Sequence, residues 1–159
     1  MISNLKKSAE KVQTVLNEFG LELNVLELND STRTAEEAAK TIGCTVSQIA
    51  KSLIFKGKNS CSPILIIASG TNRVNEKVIK EHIGEKLAKA DADFVLEHTG
   101  YAIGGIPPIG HKDTIITFID EDLMEYDEIW AAAGTPNAVF KLTPAILVEI
   151  TKGKVISIK

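Results

Sequence analysis

Lys51 and a glycine- and proline-rich loop are the two features of this sequence whose residue types could do chemistry. The loop spans residues 99–111 and contains four glycines and two prolines. Glycine permits positive φ and proline fixes its own φ, so the loop is predicted to be rigid. It also carries large apolar side chains that should pack, namely Tyr101, Ile103, Ile106 and Ile109. Its main-chain amides could therefore be held toward an anion or a developing oxyanion.

A tight structural connection is the alternative interpretation of this loop, because clusters of glycine and proline are usually turns. The loop matches neither G-x-G-x-x-G nor G-x-x-x-x-G-K-[ST], and it precedes a predicted strand, so neither dinucleotide nor P-loop binding is supported. One turn needs one or two special residues, whereas six here constrain the backbone: Gly100, Gly104, Gly105, Pro107, Pro108 and Gly110. This redundancy favours a backbone anion or oxyanion site.

Lys51 interrupts an otherwise apolar stretch where a predicted short helix meets a predicted strand. A lysine at a strand edge can lay its stem along the apolar surface and keep its ammonium in water. Alternatively, the ammonium is aimed into a cleft, where it would meet a phosphate or a developing oxyanion. The position of Lys51 in the sequence does not separate these two interpretations.

His111 directly follows Gly110 and is a candidate general base near neutral pH. A structural, hydrogen-bonded histidine is the favoured interpretation, because no serine or aspartate is tied to it by a recognisable catalytic motif. His82 and His98 lie on predicted helices and are interpreted as surface or capping residues. The histidines therefore give no catalytic assignment.

Two further polar segments receive structural interpretations. Asp120 is predicted to cap a short helix, with the two acids that follow it as first-turn charges, so no metal site is predicted there. The Ser-Gly-Thr tripeptide at 69–71 lacks the context of a nucleophile elbow, which leaves a serine-hydrolase interpretation weak.

The composition is typical of one soluble globular domain. The chain has 159 residues and a mass of 17.2 kDa, enough for one core, and we predict a single domain over residues 1–159. No apolar run approaches the roughly 20 residues of a membrane span. The two cysteines show no zinc-type spacing and the start shows no secretory signal, so we expect a cytoplasmic protein without structural zinc or a disulfide framework.

The net charge of −3 argues against a general DNA- or RNA-binding protein, because the surface as a whole does not attract a polyanion. It is compatible with an enzyme that grips the end of a nucleic acid through a few basic groups. We therefore expect any polyanion to bind locally.

Helix signals and strand signals alternate irregularly along the chain. An amphipathic helix over 4–19 ends before Gly20, and Thr34 and Thr45 each open a capping box that predicts a short helix. Apolar runs at 52–55 and 64–68 predict a hairpin of buried strands. The other predicted elements are helices at 75–83, 91–98 and 120–124 and from 143, and strands at 23–28, 86–90, 114–119, 129–133, 138–142 and 154–158. We therefore predict an α+β domain with one mixed, partly closed β-sheet or barrel surrounded by helices.

In these motifs and their order, the sequence resembles the YbaK/prolyl-tRNA-synthetase-associated domain family of aminoacyl-tRNA editing hydrolases. The resemblance covers about residues 25–150. It is carried by Thr34 to Ala39 with Ile42-Gly43, by Gln48 to Leu53, by Thr99 to Gly110, by Asp120-Glu121, and by Ala133-Gly134 with Leu142 to Pro144. The implied fold is the YbaK-like α+β domain.

The resemblance implies a freestanding deacylase that hydrolyses the ester between a wrongly attached amino acid and the 3′-terminal ribose of a tRNA. The family lysine corresponds to Lys51 and the family Gly-x-x-x-Pro loop to Gly104 through Pro108, so Lys51, Gly104 and Gly105 are the implied catalytic residues. Members of the family use water with help from the substrate's own groups, and no cofactor or metal is implied. The implied partners are the 3′ end of an aminoacyl-tRNA and an aminoacyl-tRNA synthetase, but neither DNA nor a membrane.

We further predict that the following residues contact the substrate: Ile106, Pro107, Pro108, Gly110, His111, Gly134, Thr32 and Asn137. Arg33 is an additional candidate for specificity. The turn at 134–137 differs from the Gly-Gly-Lys-Arg type of turn in cysteine-removing members, which argues against cysteinyl-tRNA. Mischarged prolyl tRNA, the substrate of many relatives, is the substrate that the resemblance suggests. The alternative hypothesis is a non-catalytic module that binds a nucleotide or the 3′ end of a tRNA through the same loop.

Overall fold

The structure, a computed structural model, describes residues 6–159. Within this range the α-helices are α1 Lys7–Glu18, α2 Ala35–Ile42, α3 Glu76–Ile83, α4 Ala92–Thr99 and α5 Pro144–Thr151. The strands are β1 Val25–Glu27, β2 Ile49–Gly57, β3 Pro63–Ser69, β4 Leu87–Lys89, β5 Ile116–Asp120, β6 Ile129–Ala132, β7 Ala138–Leu142 and β8 Lys154–Ile156. Short 3-10 turns cover Val46–Gln48 and Glu121–Glu125. None of the helices in this range is both long enough and apolar enough to cross a membrane.

One mixed sheet of eight strands forms the centre of the molecule. Its order is β1-β7-β6-β2-β3-β5-β8, and β4 pairs with the last residues of β2. The pairs β2/β3, β2/β4, β1/β7 and β6/β7 are antiparallel, whereas β2/β6, β3/β5 and β5/β8 are parallel. The α+β class, the mixed sheet and the predicted hairpin of the 52–55 and 64–68 strands are thus confirmed.

Side-chain caps explain why most helices can be located from local sequence. Thr34, Asn75, Asp91 and Thr143 each accept a hydrogen bond from a main-chain N–H in the first turn of the helix that follows. The helices α2, α3 and α4 each end at a glycine with positive φ. These predicted helices are confirmed.

The structure corrects two local predictions. The segment after Thr45 is a single 3-10 turn rather than a helix, because β2 already begins at Ile49. Lys51 consequently lies inside a strand and not at a junction between a helix and a strand. Helix α1 ends at Glu18, so Phe19, the last residue of the predicted helix, follows it and is exposed. Leu5, at the start of the predicted helix, lies outside the described residues.

Strand β3 is buried on both faces and separates two cores. Leu65 and Ile67 belong to a large core that includes residues of α1 and α5 together with Tyr101, Ile106 and Ile109 of the 99–111 loop. Ile64 and Ile66 belong to a second core with Ile79 of α3, because successive strand residues point to opposite faces. A third, smaller cluster joins α2 to the start of β2. The sheet therefore places α2, the first residues of β2 and β6 next to one another.

Candidate active site

A cavity of about 390 Å³ opens between the first residues of β2, the start of α2, β6 and the 99–111 loop. Five residues predicted to form the site line it: Lys51, Gly104, Thr32, Ile106 and Arg33. The other lining residues are Thr34, Ala35, Glu36, Ala38, Ile49, Ala50, Ser52, Leu53, Ile103, Trp130, Ala131, Ala132 and Val139. The lysine and the loop, which are far apart in the sequence, therefore meet at one site.

The cavity lies where β2 separates from its neighbours. Strand β2 pairs with β6 at Ile49 and Ala50, and with β4 from Phe55 to Gly57. Between these ladders, residues 51–54 pair with β3 on one side, and no described strand pairs with them on the other side. Main-chain N–H and C=O groups on the open side need water or a ligand as partners, because such groups are rarely left unpaired. The sheet thus has an interior edge at the cavity.

Lys51 is half-buried in the cavity wall, and within the described residues its ammonium forms no ion pair. Its Nζ donates a hydrogen bond to the carbonyl oxygen of Gly70 at 3.3 Å. Burial lowers the pKa of Lys51 below its usual range, Glu36 opposes this shift, and Arg73 adds to it. Because an ammonium has several N–H groups and the Gly70 contact uses one, donors remain for a bound anion.

The loop brings Gly104 to the cavity through a tight turn. The turn spans residues 102–105 and is closed by the amide of Gly105, which donates to the carbonyl of Ala102 at 3.3 Å. Gly104 has a φ of +102°, which favours glycine at the third position of such a turn. The amide of Gly104 is bonded to no acceptor in residues 6–159. This amide is therefore a candidate donor to a ligand.

Arg33 lies against Gly104 at the cavity. A Cβ atom built on Gly104 would be 2.9 Å from Cγ and 3.1 Å from Nε of Arg33. Arg33 is exposed, and none of the ion pairs among the described residues includes it. Arg33 and Lys51 outnumber Glu36, the carboxylate among the lining residues. The cavity is therefore locally cationic in a chain whose net charge is −3.

Gly105 is buried against the turn that follows β6. A Cβ atom on Gly105 would lie 2.8 Å from the backbone N, Cα and C atoms of Thr135. The carbonyl of Gly105 accepts a hydrogen bond from the amide of Gly134 at 2.8 Å. The same turn holds Thr32, whose amide and hydroxyl donate to the carbonyl of Pro136 at 2.6 and 2.9 Å. This turn supports both the loop and Thr32.

The remaining predicted site residues lie outside the cavity lining: Gly105, Pro107, Pro108, Gly110, His111, Gly134 and Asn137. Nδ2 of Asn137 donates to the carbonyl of Asp30 at 3.1 Å. Nε2 of His111 donates to the carbonyl of Pro107 at 2.7 Å. Burial lowers the pKa of His111, while the Pro107 carbonyl opposes this shift. Both side chains hold loop backbone, which fits the structural interpretation of His111.

Ile103 and Trp130 show what the sequence does not reveal about the lining. The prediction that Ile103 packs is wrong, because its side chain is 48% exposed and lines the cavity, whereas the loop's other three large apolar residues are buried. Trp130 lines the cavity because the parallel register sets it beside Ile49. No local signal points to Trp130, since β2 and β6 are distant in the chain. Glu36 is visible in the sequence as a first-turn acid of α2, but not as a cavity residue.

The lining limits the chemistry that the cavity can support. It contains no histidine and no cysteine, so no side-chain nucleophile in the described lining is paired with a histidine base. Within residues 6–159, no three side chains of the His, Cys, Asp or Glu type lie close enough together to hold a metal ion. The groups present are the carboxylate of Glu36 and a set of donors, namely two cations, a main-chain amide and several hydroxyls. Such donors bind an anion or stabilise a developing oxyanion.

Comparisons with known proteins give a consistent result. A family model described as "Aminoacyl-tRNA editing domain" matches residues 29–150. Protein YwhH of Bacillus subtilis, which is uncharacterised, is 35% identical over 148 residues, which are 93% of this chain and 94% of YwhH. EbsC of Enterococcus faecalis, named as a candidate Cys-tRNA(Pro)/Cys-tRNA(Cys) deacylase, is 29% identical over 121 residues, 76% of this chain and 73% of EbsC. A crystal structure described as a candidate trans-editing enzyme for prolyl tRNA synthetase is 43% identical, with a TM-score of 0.92 and coverage of 98% of this chain and 99% of that chain.

Proposed function

This chain belongs to the aminoacyl-tRNA editing domain family, and we propose that it is a trans-editing deacylase that hydrolyses the ester bond of mischarged aminoacyl-tRNA. The family model covers most of the chain, and the relatives include a candidate deacylase and a candidate trans-editing enzyme. The observation that carries the proposal is the meeting of Lys51 and Gly104 in one cavity. The whole described chain acts as one domain in this function.

The proposed reaction needs positive charge and fixed donors rather than a side-chain nucleophile. Water attacks the ester carbonyl carbon and gives a tetrahedral intermediate whose oxygen is negatively charged. The bond to the ribose oxygen then breaks, and a proton passes to that oxygen, which releases the amino acid and the tRNA. The ammonium of Lys51 and the amide of Gly104 stabilise the negative oxygen, because both are held in the cavity wall before the substrate arrives.

The 3′ end of the tRNA is the part of the substrate that fits this cavity. Arg33 forms no ion pair with a carboxylate in the described structure, and its guanidinium offers contacts for a terminal phosphate. The walls made by Ile49, Ile106 and Trp130 are apolar and suit an uncharged amino-acid side chain. The lining has no histidine, and we assign proton transfer to water and the substrate's own groups, as the family resemblance implies.

A deacylation panel tests the proposal. Purified protein is incubated with a set of mischarged aminoacyl-tRNAs, including mischarged prolyl tRNA, and loss of the ester is followed against buffer alone. Lys51→Ala should lower kcat/KM by about 10²-fold to 10³-fold, the usual loss when an oxyanion donor is removed. Lys56→Ala is the matched control, because Lys56 lies on the same strand and outside the cavity lining. It should retain activity close to that of the unmodified protein.

Each result of this panel has a distinct meaning. Deacylation of no member of the panel above the rate in buffer would reject the enzyme function. If tRNA or a nucleotide still binds in that case, the non-catalytic alternative is favoured. Turnover that survives Lys51→Ala would reject the role of Lys51 but not the activity. Adding a prolyl-tRNA synthetase to the same assay tests whether a synthetase is a partner. Because the proposed substrate is an aminoacylated tRNA, a cytoplasmic location is also part of the proposal.

A further inference from the structure

Asp120, at the end of β5, is a buried carboxylate outside the cavity that the proposed chemistry does not use. Only 1% of its surface is exposed. It accepts hydrogen bonds from the amide of Ser69 at 3.0 Å, from Nδ2 of Asn72 at 2.8 Å and from the amide of Asp122 at 2.9 Å. No described cation forms an ion pair with it. A buried charge must be satisfied in this way, because desolvation without partners is costly.

Capping explains one of these three contacts. Asp120 caps the 3-10 turn Glu121–Glu125, and the cap requires only the hydrogen bond that Oδ1 of Asp120 accepts from the amide of Asp122. The other oxygen, Oδ2, is bound by Ser69 and Asn72, which belong to the end of β3 and the segment after it. Asp120 therefore also binds the backbone where β3 ends, at Ser69 and Gly70, which we call the Ser69-Gly70 corner. Capping does not explain these contacts of Oδ2.

The corner at Ser69-Gly70 is fixed on several sides and leads directly to Lys51. The hydroxyl of Ser69 donates to the carbonyl of Ser47 at 2.6 Å. A Cβ atom on Gly70 would lie 2.2 Å from the carbonyl oxygen of Val46, so the backbone of Gly70 lies very close to that segment. The carbonyl of Gly70 is the group that accepts the hydrogen bond from Nζ of Lys51. The amide held by Asp120 and the carbonyl that holds the lysine thus belong to adjacent residues, Ser69 and Gly70.

We propose that Asp120 is a positioning residue for Lys51: its carboxylate fixes the Ser69-Gly70 corner, and the Gly70 carbonyl then keeps the Lys51 ammonium in the cavity. The inference rests on the proposed function in so far as Lys51 acts on the substrate. Asp120 itself is not among the residues that line the cavity. Its effect on catalysis is transmitted by the corner and by its charge.

The charges around Lys51 agree with this role. Burial lowers the pKa of Lys51, Glu36 at the start of α2 opposes the shift, and Arg73 before α3 adds to it. Asp120 is the remaining charged group that acts on Lys51, and it raises the pKa of the ammonium. Asp120 therefore favours the charged form of the lysine while its contacts hold the lysine's acceptor in place.

Asp120→Asn is the direct test, because it keeps the size of the side chain and removes the charge. The control is Asp122→Asn: the Asp122 carboxylate binds Asn72 and Lys159 in the same network but makes no contact with Ser69. The titration of Lys51 is followed by NMR of its ¹³Cε resonance, assigned with Lys51→Arg. We expect Asp120→Asn to move this titration to lower pH and to lower kcat/KM about tenfold or more, as small misplacements at a site do. Asp122→Asn should change neither.

The NMR measurement separates this inference from the proposed function. If the protein deacylates no tRNA but Asp120→Asn still moves the Lys51 titration, the function fails and the positioning role stands. An unchanged Lys51 titration together with unchanged kcat/KM in folded Asp120→Asn would overturn the inference. Equal changes in both variants would also overturn it, because they would indicate a general effect of the network.

A second variant keeps the inference testable if Asp120→Asn does not fold. Ser69→Ala removes the hydroxyl contact to Ser47 and retains the main-chain bond to Asp120. We expect a smaller change of the Lys51 titration in the same direction and a smaller loss of kcat/KM. A folded Ser69→Ala protein with wild-type values for both would show that the corner does not position Lys51.

Discussion

Gly105→Ala should destabilise the protein and impair its activity together. The added Cβ would lie 2.8 Å from three backbone atoms of Thr135, a distance that real Cβ contacts do not show. Backbone cannot rotate away as a flexible side chain can, so the 99–111 loop and the turn after β6 must separate. Gly105 does not have a positive φ, and the expected cost is therefore steric.

The magnitude follows from the cost of overpacking. Inserting a methyl group into a well-packed contact costs roughly 1–3 kcal/mol. For a chain of 159 residues, 1 kcal/mol lowers Tm by about 2–4 °C, so we expect a Tm lower by roughly 2–12 °C. The separation also stretches the 2.8 Å bond between the Gly134 amide and the Gly105 carbonyl and displaces Gly104. We expect kcat/KM for deacylation to fall by about tenfold or more as a result.

Gly84→Ala is the control for this prediction. Gly84 ends α3 with a φ of +80°, and a Cβ atom there would meet nothing within 4 Å. Its replacement costs conformational strain of about 1 kcal/mol and should leave kcat/KM unchanged. Calorimetry and the deacylation assay measure both variants. A Gly105→Ala protein with the Tm of the unmodified chain would refute the close approach of the loop to Thr135, and a lower Tm with full activity would refute its importance for Gly104.

Two further predictions concern charged groups. Arg33→Ala should raise KM about tenfold with a small change in kcat, because the guanidinium is proposed to bind a phosphate. In a plot of log binding constant against log salt concentration, the slope for tRNA binding should become shallower by about one unit. Arg33→Lys should restore part of the affinity. An unchanged KM together with an unchanged slope in Arg33→Ala would refute the contact between Arg33 and a phosphate. Burial lowers the pKa of His111, so its contribution to stability is complete above the unfolded value of about 6.5 and is lost as pH falls through the folded value. His111→Gln should reduce the fall in Tm between pH 7 and pH 5, and an identical fall in both proteins would contradict the burial of a neutral imidazole.

Local signals account for the parts of the fold that could be predicted. Thr34 and Asp91 cap helices with their own side chains, and Gly43 and Gly84 end helices with positive φ, so a few adjacent residues carry the information. The β2/β3 hairpin could also be predicted from the sequence, because two apolar runs flank a short polar turn. Thr45 shows the limit of such signals: its capping box is present, but the backbone becomes a strand after one turn.

The site depends on pairings that no short segment contains. Lys51 and Gly104 are recognisable in the sequence as candidate site residues. The cavity that joins them exists because β2 pairs with β6 and with β4 only at its two ends, which leaves residues 51–54 without a strand partner on that side. Trp130 enters the lining through the same long-range register. His111 has the residue type of a catalytic base, and its engagement with the Pro107 carbonyl is visible only in three dimensions.

The ladder between β2 and β6 has a mechanical consequence. It consists of two residue pairs, Ile49 with Trp130 and Ala50 with Ala131, and it is the shortest ladder in the described sheet. It joins a unit of β1, β7 and β6 to a unit of the remaining strands. All four residues of this ladder, Ile49, Ala50, Trp130 and Ala131, line the cavity. Any bending of the sheet at this ladder would therefore change the width of the cavity.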